Sequence, residues 1–119
     1  IDFFKNVNDS YGHDQGDIVL KTFANFMKNN FRDEDICCRI GGEEFIVLMT
    51  TSDPKVAYNA AERLRKTMES SNINSIGPIT ISVGMAFWPK NSDAVTEVFK
   101  MADNKLYQAK NSGRNCIRY

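Results

Sequence analysis

Glu43 and Glu44 stand side by side, directly after Gly41 and Gly42. Adjacent carboxylates repel, so a cation or a proton is needed to hold them in a confined site. The two glycines leave the main chain bare, which lets a bulky anionic ligand come close to it. Together these residues have the chemistry of a place where metal and phosphate meet. Taken alone, the pentapeptide from Gly41 to Phe45 is more often a solvated acidic turn. The runs at 36–40 and 46–49 are apolar, and apolar runs joined through Gly-Gly predict a β-hairpin with the carboxylates at its tip.

The elements that must position this tip follow from periodicity. Residues 1–13 read as a short apolar piece followed by a polar loop over 8–13. Val19, Leu20, Phe23, Phe26 and Met27 fall at helical spacing, with Asp14 and Asp17 near the start, where carboxylates suit the helix dipole. Asp53-Pro54 is a helix start, with Asp as N-cap and Pro at the first position, ahead of a stripe through Ala57, Ala60, Ala61, Leu64 and Met68. Alternation from Ile79 to Phe87 predicts a strand. Val95, Val98, Phe99, Ala102, Leu106 and Ala109 form a third helical stripe, ended by Gly113, and residues 115–119 make a last short strand. The order fits a single α+β domain over 1–119, a mostly antiparallel sheet flanked by helices. Met27, Met68, Phe23, Phe26 and Phe99 are read as core, and Trp88 as cover for a strand end.

Composition sets bounds. The chain has 119 residues, 42% hydrophobic and 11% aromatic, which suits one globular domain with a buried core. Fifteen Lys and Arg balance fifteen Asp and Glu. That balance argues against a nucleic-acid scaffold built on a basic face, though not against a small anion held by a few placed cations. Cys37, Cys38 and Cys116 lack metal-ligand spacing and are expected to be reduced core thiols of a cytoplasmic protein. No run has the length of a membrane span. The opening Ile1-Asp2 reads as the tail of a strand that continues upstream.

Six ordered blocks resemble the GGDEF-domain family of diguanylate cyclases. They are Ile1 to Asp9, Gly12 to Asp17, the Gly41 to Phe45 signature in its Glu variant, Thr80 to Ala86, Ala102 to Lys110, and Asn111 to Asn115. The resemblance implies a fold like the nucleotidyl cyclase and polymerase palm, with an N-terminal helix and most of the first strand outside this chain. It implies condensation of two GTP into cyclic di-GMP with release of two pyrophosphates, between two copies of the domain. Two Mg²⁺ per half-site, with Mn²⁺ as a substitute, would bridge the phosphates. Glu44 would ligate metal, and Glu43 would ligate metal or take the hydroxyl proton. Ile1 would offer its carbonyl to metal, while the family's first motif opens with one more Asp, just before Ile1. Asp2 would have a less direct role.

The same resemblance assigns the substrate. Lys5, Lys110 and Arg114 would contact phosphate, Gly41 and Gly42 would give it room, Asn8 and Asp17 would read guanine, and His13 would line the site. Arg32 and Asp35 match the family's inhibitory pattern for bound cyclic di-GMP, with Arg63 as a second cation for that ligand. The partners implied are GTP, cyclic di-GMP, a second copy, and an upstream sensory or receiver domain in a bacterial signalling protein. Any membrane anchor of that parent would lie upstream as well. The alternative is a catalytically inactive module that binds cyclic di-GMP or GTP.

Overall fold

A computed structural model describes residues 1–119. The elements in chain order are α1 (Phe4–Tyr11), α2 (His13–Asn30), β1 (Ile36–Gly41), β2 (Glu44–Leu48), α3 (Pro54–Ser70), β3 (Val83–Gly84), α4 (Val95–Asn111) and β4 (Ile117–Arg118). The α+β class is as expected from the sequence. No helix is long and apolar enough to cross a membrane.

The core forms where the apolar stripes of three helices meet one extended segment. Phe4 and Val7 of α1, Val19, Leu20, Phe23 and Met27 of α2, and Leu64 and Met68 of α3 pack with Ile73, Ile79 and Ile81. α3 starts where the Asp-Pro pair predicts, and the Lys55 amide donates to Asp53 Oδ1 at 2.9 Å. Phe45 of β2 meets Phe23 of α2 edge to face at 4.9 Å, which fastens the hairpin to the helical layer. α4 lies close on β3 because Gly84 has no side chain: a Cβ there would overlap the Ala102 carbonyl and the Leu106 backbone.

β1 and β2 pair antiparallel from Ile36–Leu48 to Arg39–Phe45, with a bulge before Gly41 pairs with Glu44. β3 and β4 pair parallel, Val83 with Ile117 and Gly84 with Arg118. The first two residues link these pairs. The Ile1 nitrogen donates to the Glu43 carbonyl at 3.1 Å, and the Asp2 amide donates to the Thr80 carbonyl at 2.9 Å.

Several expectations need correction. Residues 4–11 are helical rather than a loop: Phe4 and Val7 face the core, and the polar run at 8–10 belongs to the rest of that short helix. The turn shrinks to Gly12, at φ 87°. Ile79 and Ile81 are buried as alternation requires, yet ladder pairing is confined to Val83 and Gly84. Cys37 and Cys38 are exposed, because every residue of β1 is, and Cys116 is half-buried. Burial raises the Cys37 thiol pKa, helped by Asp35 and Cys38. Phe99 and Val95 lie on the exposed side of α4, Phe26 is only partly buried, and Trp88 is exposed with its indole N–H on the Asp93 carbonyl at 3.0 Å.

Candidate functional site

The hairpin tip, the chain start and the end of α4 come together. Glu43 is half-buried and bound through its carbonyl to the Ile1 nitrogen. Glu44 is exposed, with the Lys110 ammonium 3.9 Å from its Oε1. Gly42 turns the tip at φ 45°, which favours glycine, and its carbonyl accepts from Arg39 Nε at 2.9 Å. Gly41 and Gly42 are exposed, and a Cβ on either would meet nothing within 4 Å. The main chain at 41–42 is therefore unobstructed.

Glu43 and Glu44 are the acidic side chains at this corner. No group of three or more His, Cys, Asp and Glu side chains is placed to hold a metal ion. Asp2 does not add to the set, because its oxygens are occupied. Oδ2 accepts from Thr80 Oγ1 at 2.8 Å and from the Asn115 amide at 3.1 Å, and Oδ1 accepts from Ser82 Oγ at 2.7 Å. A pair of carboxylates still fits Mg²⁺, which usually takes one or two from protein and fills its sphere with water and substrate phosphate.

Asn8, His13 and Asp17 sit where α1 turns into α2. Gly16 is buried directly under Asn8, and a Cβ on Gly16 would overlap Asn8 Oδ1 and crowd the Phe4 ring. The missing side chain is what lets the Asn8 amide lie flat on α2, one residue before the exposed Asp17. Gly16→Ala is therefore expected to displace Asn8 and to cost about 1–3 kcal/mol. Denaturant unfolding measures the cost, and an unchanged midpoint would show that α1 slides freely. His13 is exposed at the first position of α2, and Lys5 is exposed in the first turn of α1.

Arg114 is placed by stacking. Its guanidinium carbon lies 4.5 Å above the Phe3 ring, two residues from Ile1. Asn115, which sequence reasoning passed over, ties this turn to α3. Its Oδ1 accepts from Arg65 Nη1 at 2.6 Å and its Nδ2 donates to Glu69 Oε1 at 2.7 Å. Arg65 also grips Glu62 with two nitrogens at 2.8 Å each and Glu69 at 3.0 Å. The Arg65 hydrogen bonds pull the Glu62 carboxyl below its usual 4.5. Asn115, then Arg65, do the same for Glu69. A lowered folded-state pKa contributes stability above the unfolded value that is lost as pH falls through the folded one. The thermal midpoint should thus be flat from about pH 7 to 5 and fall below about 4.5. In Arg65→Met the part of that fall due to Glu62 should largely vanish, and the Glu69 part should shrink to what the Asn115 hydrogen bond sustains, as melts across pH would show.

Arg32 and Asp35 form a closed loop at the end of α2. The Arg32 amide donates to Asp35 Oδ2 at 3.0 Å, and the Asp35 amide returns to the Arg32 carbonyl at 3.0 Å. The Arg32 guanidinium stays exposed, 3.7 Å from Glu34. Both residues border an open cavity of about 580 Å³ between α2 and β1. Arg63 lies on the neighbouring helix face, donating to Asn30 Oδ1 and to the Asn30 carbonyl, each at 2.7 Å.

Comparison with known proteins shows the family and the fold. The family model described as "Diguanylate cyclase, GGDEF domain" matches residues 1–116. Diguanylate cyclase A of Treponema denticola is 42% identical over 98% of this chain, which spans 32% of that protein. Among solved structures, the active GGEEF domain of a diguanylate cyclase from Vibrio cholerae superposes with a TM-score of 0.87 at 31% identity. It covers all of this chain, and the match takes in 78% of that one. The GGDEF domain of DgcB from Caulobacter crescentus, solved in complex with c-di-GMP, gives 0.87 at 31% identity, over 99% of this chain and 72% of that one. This chain, spanning about a third of its Treponema relative, belongs to the GGDEF-domain family of diguanylate cyclases.

Proposed function

We propose that the protein is a diguanylate cyclase that condenses two GTP into cyclic di-GMP and two pyrophosphates, each of two domain copies holding one GTP. The observation that carries this is the convergence of Glu43, Glu44, Lys110 and the Ile1 main chain at one corner, beside a bare Gly-Gly turn. The Vibrio cholerae neighbour, an active GGEEF domain, supports activity for a Glu signature.

Phosphoryl transfer leaves the protein mainly positioning and charge neutralisation. Asn8 and Asp17 would hold the guanine edge, the carboxylate of Asp17 accepting from its N–H groups and the amide of Asn8 donating to an acceptor. His13 would line the nucleotide site. Lys5, Lys110 and Arg114 would take the phosphate charge, and Gly41 and Gly42 would let the phosphates approach the main chain. The 3′-hydroxyl oxygen of one GTP bonds to the α-phosphorus of the other, the bond to the β-phosphate oxygen breaks, and pyrophosphate leaves. Glu43 would take the hydroxyl proton or join Glu44 and the Ile1 carbonyl as a metal ligand. Mg²⁺ held there would neutralise phosphate charge and acidify the hydroxyl.

Cyclic di-GMP would bind back at Arg32 and Asp35 and restrain the enzyme. The Arg32 guanidinium, exposed and tied only loosely to Glu34 at 3.7 Å, supports this, since it can meet phosphate or stack on a base. So does the DgcB neighbour, solved with c-di-GMP. Arg63 would be the second cation only after leaving Asn30. The test is the full-length protein with GTP and Mg²⁺, assayed by chromatography. Cyclic di-GMP should accumulate and then stall, and Arg32→Ala should extend the progress curve. Cyclic di-GMP binding by calorimetry with no turnover under dimerising conditions would instead establish a regulatory binding module.

A further inference from the structure

We infer that Arg65 is a positioning residue for the nucleotide site, acting through Asn115 to aim the turn that carries Arg114. The inference rests on reading Arg114 as a phosphate contact. Arg114 and Asn115 are consecutive residues in the left-handed region, at φ 65° and 46°. Such backbone persists only where its surroundings over-determine it, and Asn tolerates it better than Arg.

Three attachments hold the turn. The Arg114 amide donates to the Ala109 carbonyl at 3.0 Å, and the Asn115 amide donates to buried Asp2. The third is the Asn115 side chain, pinned between Arg65 and Glu69 on α3. An arginine present only to stabilise α3 could stop at Glu62 and Glu69. Arg65 instead shares Nη1 between Glu69 and Asn115, and only 12% of its side chain is exposed. The rigid fork of guanidinium donors allows this, since one face takes Glu62 while the remaining nitrogen reaches the turn. A lysine can keep an ion pair with either Glu but cannot span Glu62, Glu69 and Asn115 together. Without the Asn115 side-chain tie, the turn would keep only its two backbone donations, to Ala109 and Asp2, and Arg114 its stack on Phe3.

The test compares Arg65→Met, Arg65→Lys, Asn115→Gly and the Arg65→Met/Asn115→Gly pair in the full-length protein. Glycine at 115 keeps the left-handed backbone accessible while removing the side chain. Each single variant should raise KM for GTP roughly five- to tenfold with kcat within about twofold, and the pair should be no worse than either alone. Hydrogen exchange in a peptide covering 112–116 should quicken about tenfold in the same variants while α2 and β2 keep their protection. If Arg65→Met fails to fold, Arg65→Lys and Asn115→Gly carry the comparison. Unchanged exchange at 112–116 overturns the inference, as does a loss confined to global stability with KM unmoved. A parent protein without turnover overturns the cyclase reading alone, and the exchange data then decide whether Arg65 holds the turn.

Discussion

Glu44→Gln should lower cyclic di-GMP formation at least about a hundredfold and change folding stability by no more than about 0.5 kcal/mol. The two halves of this expectation come from different features of one residue. Glu44 is exposed at a hairpin tip, and its nearest counter-charge, Lys110, is 3.9 Å away. An exposed pair at that distance contributes little to the fold. The carboxylate is nevertheless one of the two that residues 1–119 place at the corner, because the oxygens of Asp2 are already taken by hydrogen bonds. If the tip holds a cation and a triphosphate as proposed, neither Asp2 nor Lys110 can replace the lost carboxylate. Glu43→Gln separates the two roles open to Glu43. A proton acceptor there would leave its mark on the pH–rate profile, and a ligand would raise the Mg²⁺ concentration needed for turnover. Turnover of Glu44→Gln within threefold of the parent at equal Mg²⁺ would sink the assignment of the tip.

What could be read from sequence was whatever depends on near neighbours. The hairpin, the start of α2 and the Asp53 cap are local patterns, and the carboxylate pair is legible because both residues share one turn. Lys110 joins the tip from the far end of the chain, and only its place in a family motif pointed to it. α1 was misread because a two-turn helix buries just Phe4 and Val7, leaving a polar run with the composition of a loop. Cys37 and Cys38 look like core residues by type, but burial depends on what lies over a strand, and all six residues of β1 are exposed. Asn115 was invisible for a similar reason. Its partners Arg65 and Glu69 stand 50 and 46 residues away, and no spacing rule links an asparagine to a salt bridge on another helix.

Asp2 is the sharpest case of that blindness, and Asp2→Ala should be the most damaging single change to the fold. Sequence reading gave it a lesser role at a strand end. It is the one charged side chain buried, at 4% exposure, and it collects donors from Thr80, Ser82 and Asn115. Alanine would strand three donors in the interior at a cost of about 3–5 kcal/mol, a large share of the roughly 5–15 kcal/mol that holds an ordinary domain together. Asp2→Asn should be far milder, about 1 kcal/mol. Its carbonyl oxygen can face the Asn115 amide, which has no choice but to donate, together with the Thr80 hydroxyl. Its NH₂ then faces Ser82 Oγ, which can turn to accept. The contrast tests whether Asp2 works by geometry or by charge, and denaturant unfolding of both variants reads it directly. Equal losses would mean that the negative charge itself is needed beside the site. A severe alanine and a mild asparagine would make Asp2 the peg between Ile1, which meets the Glu43 carbonyl, and Phe3, which seats Arg114.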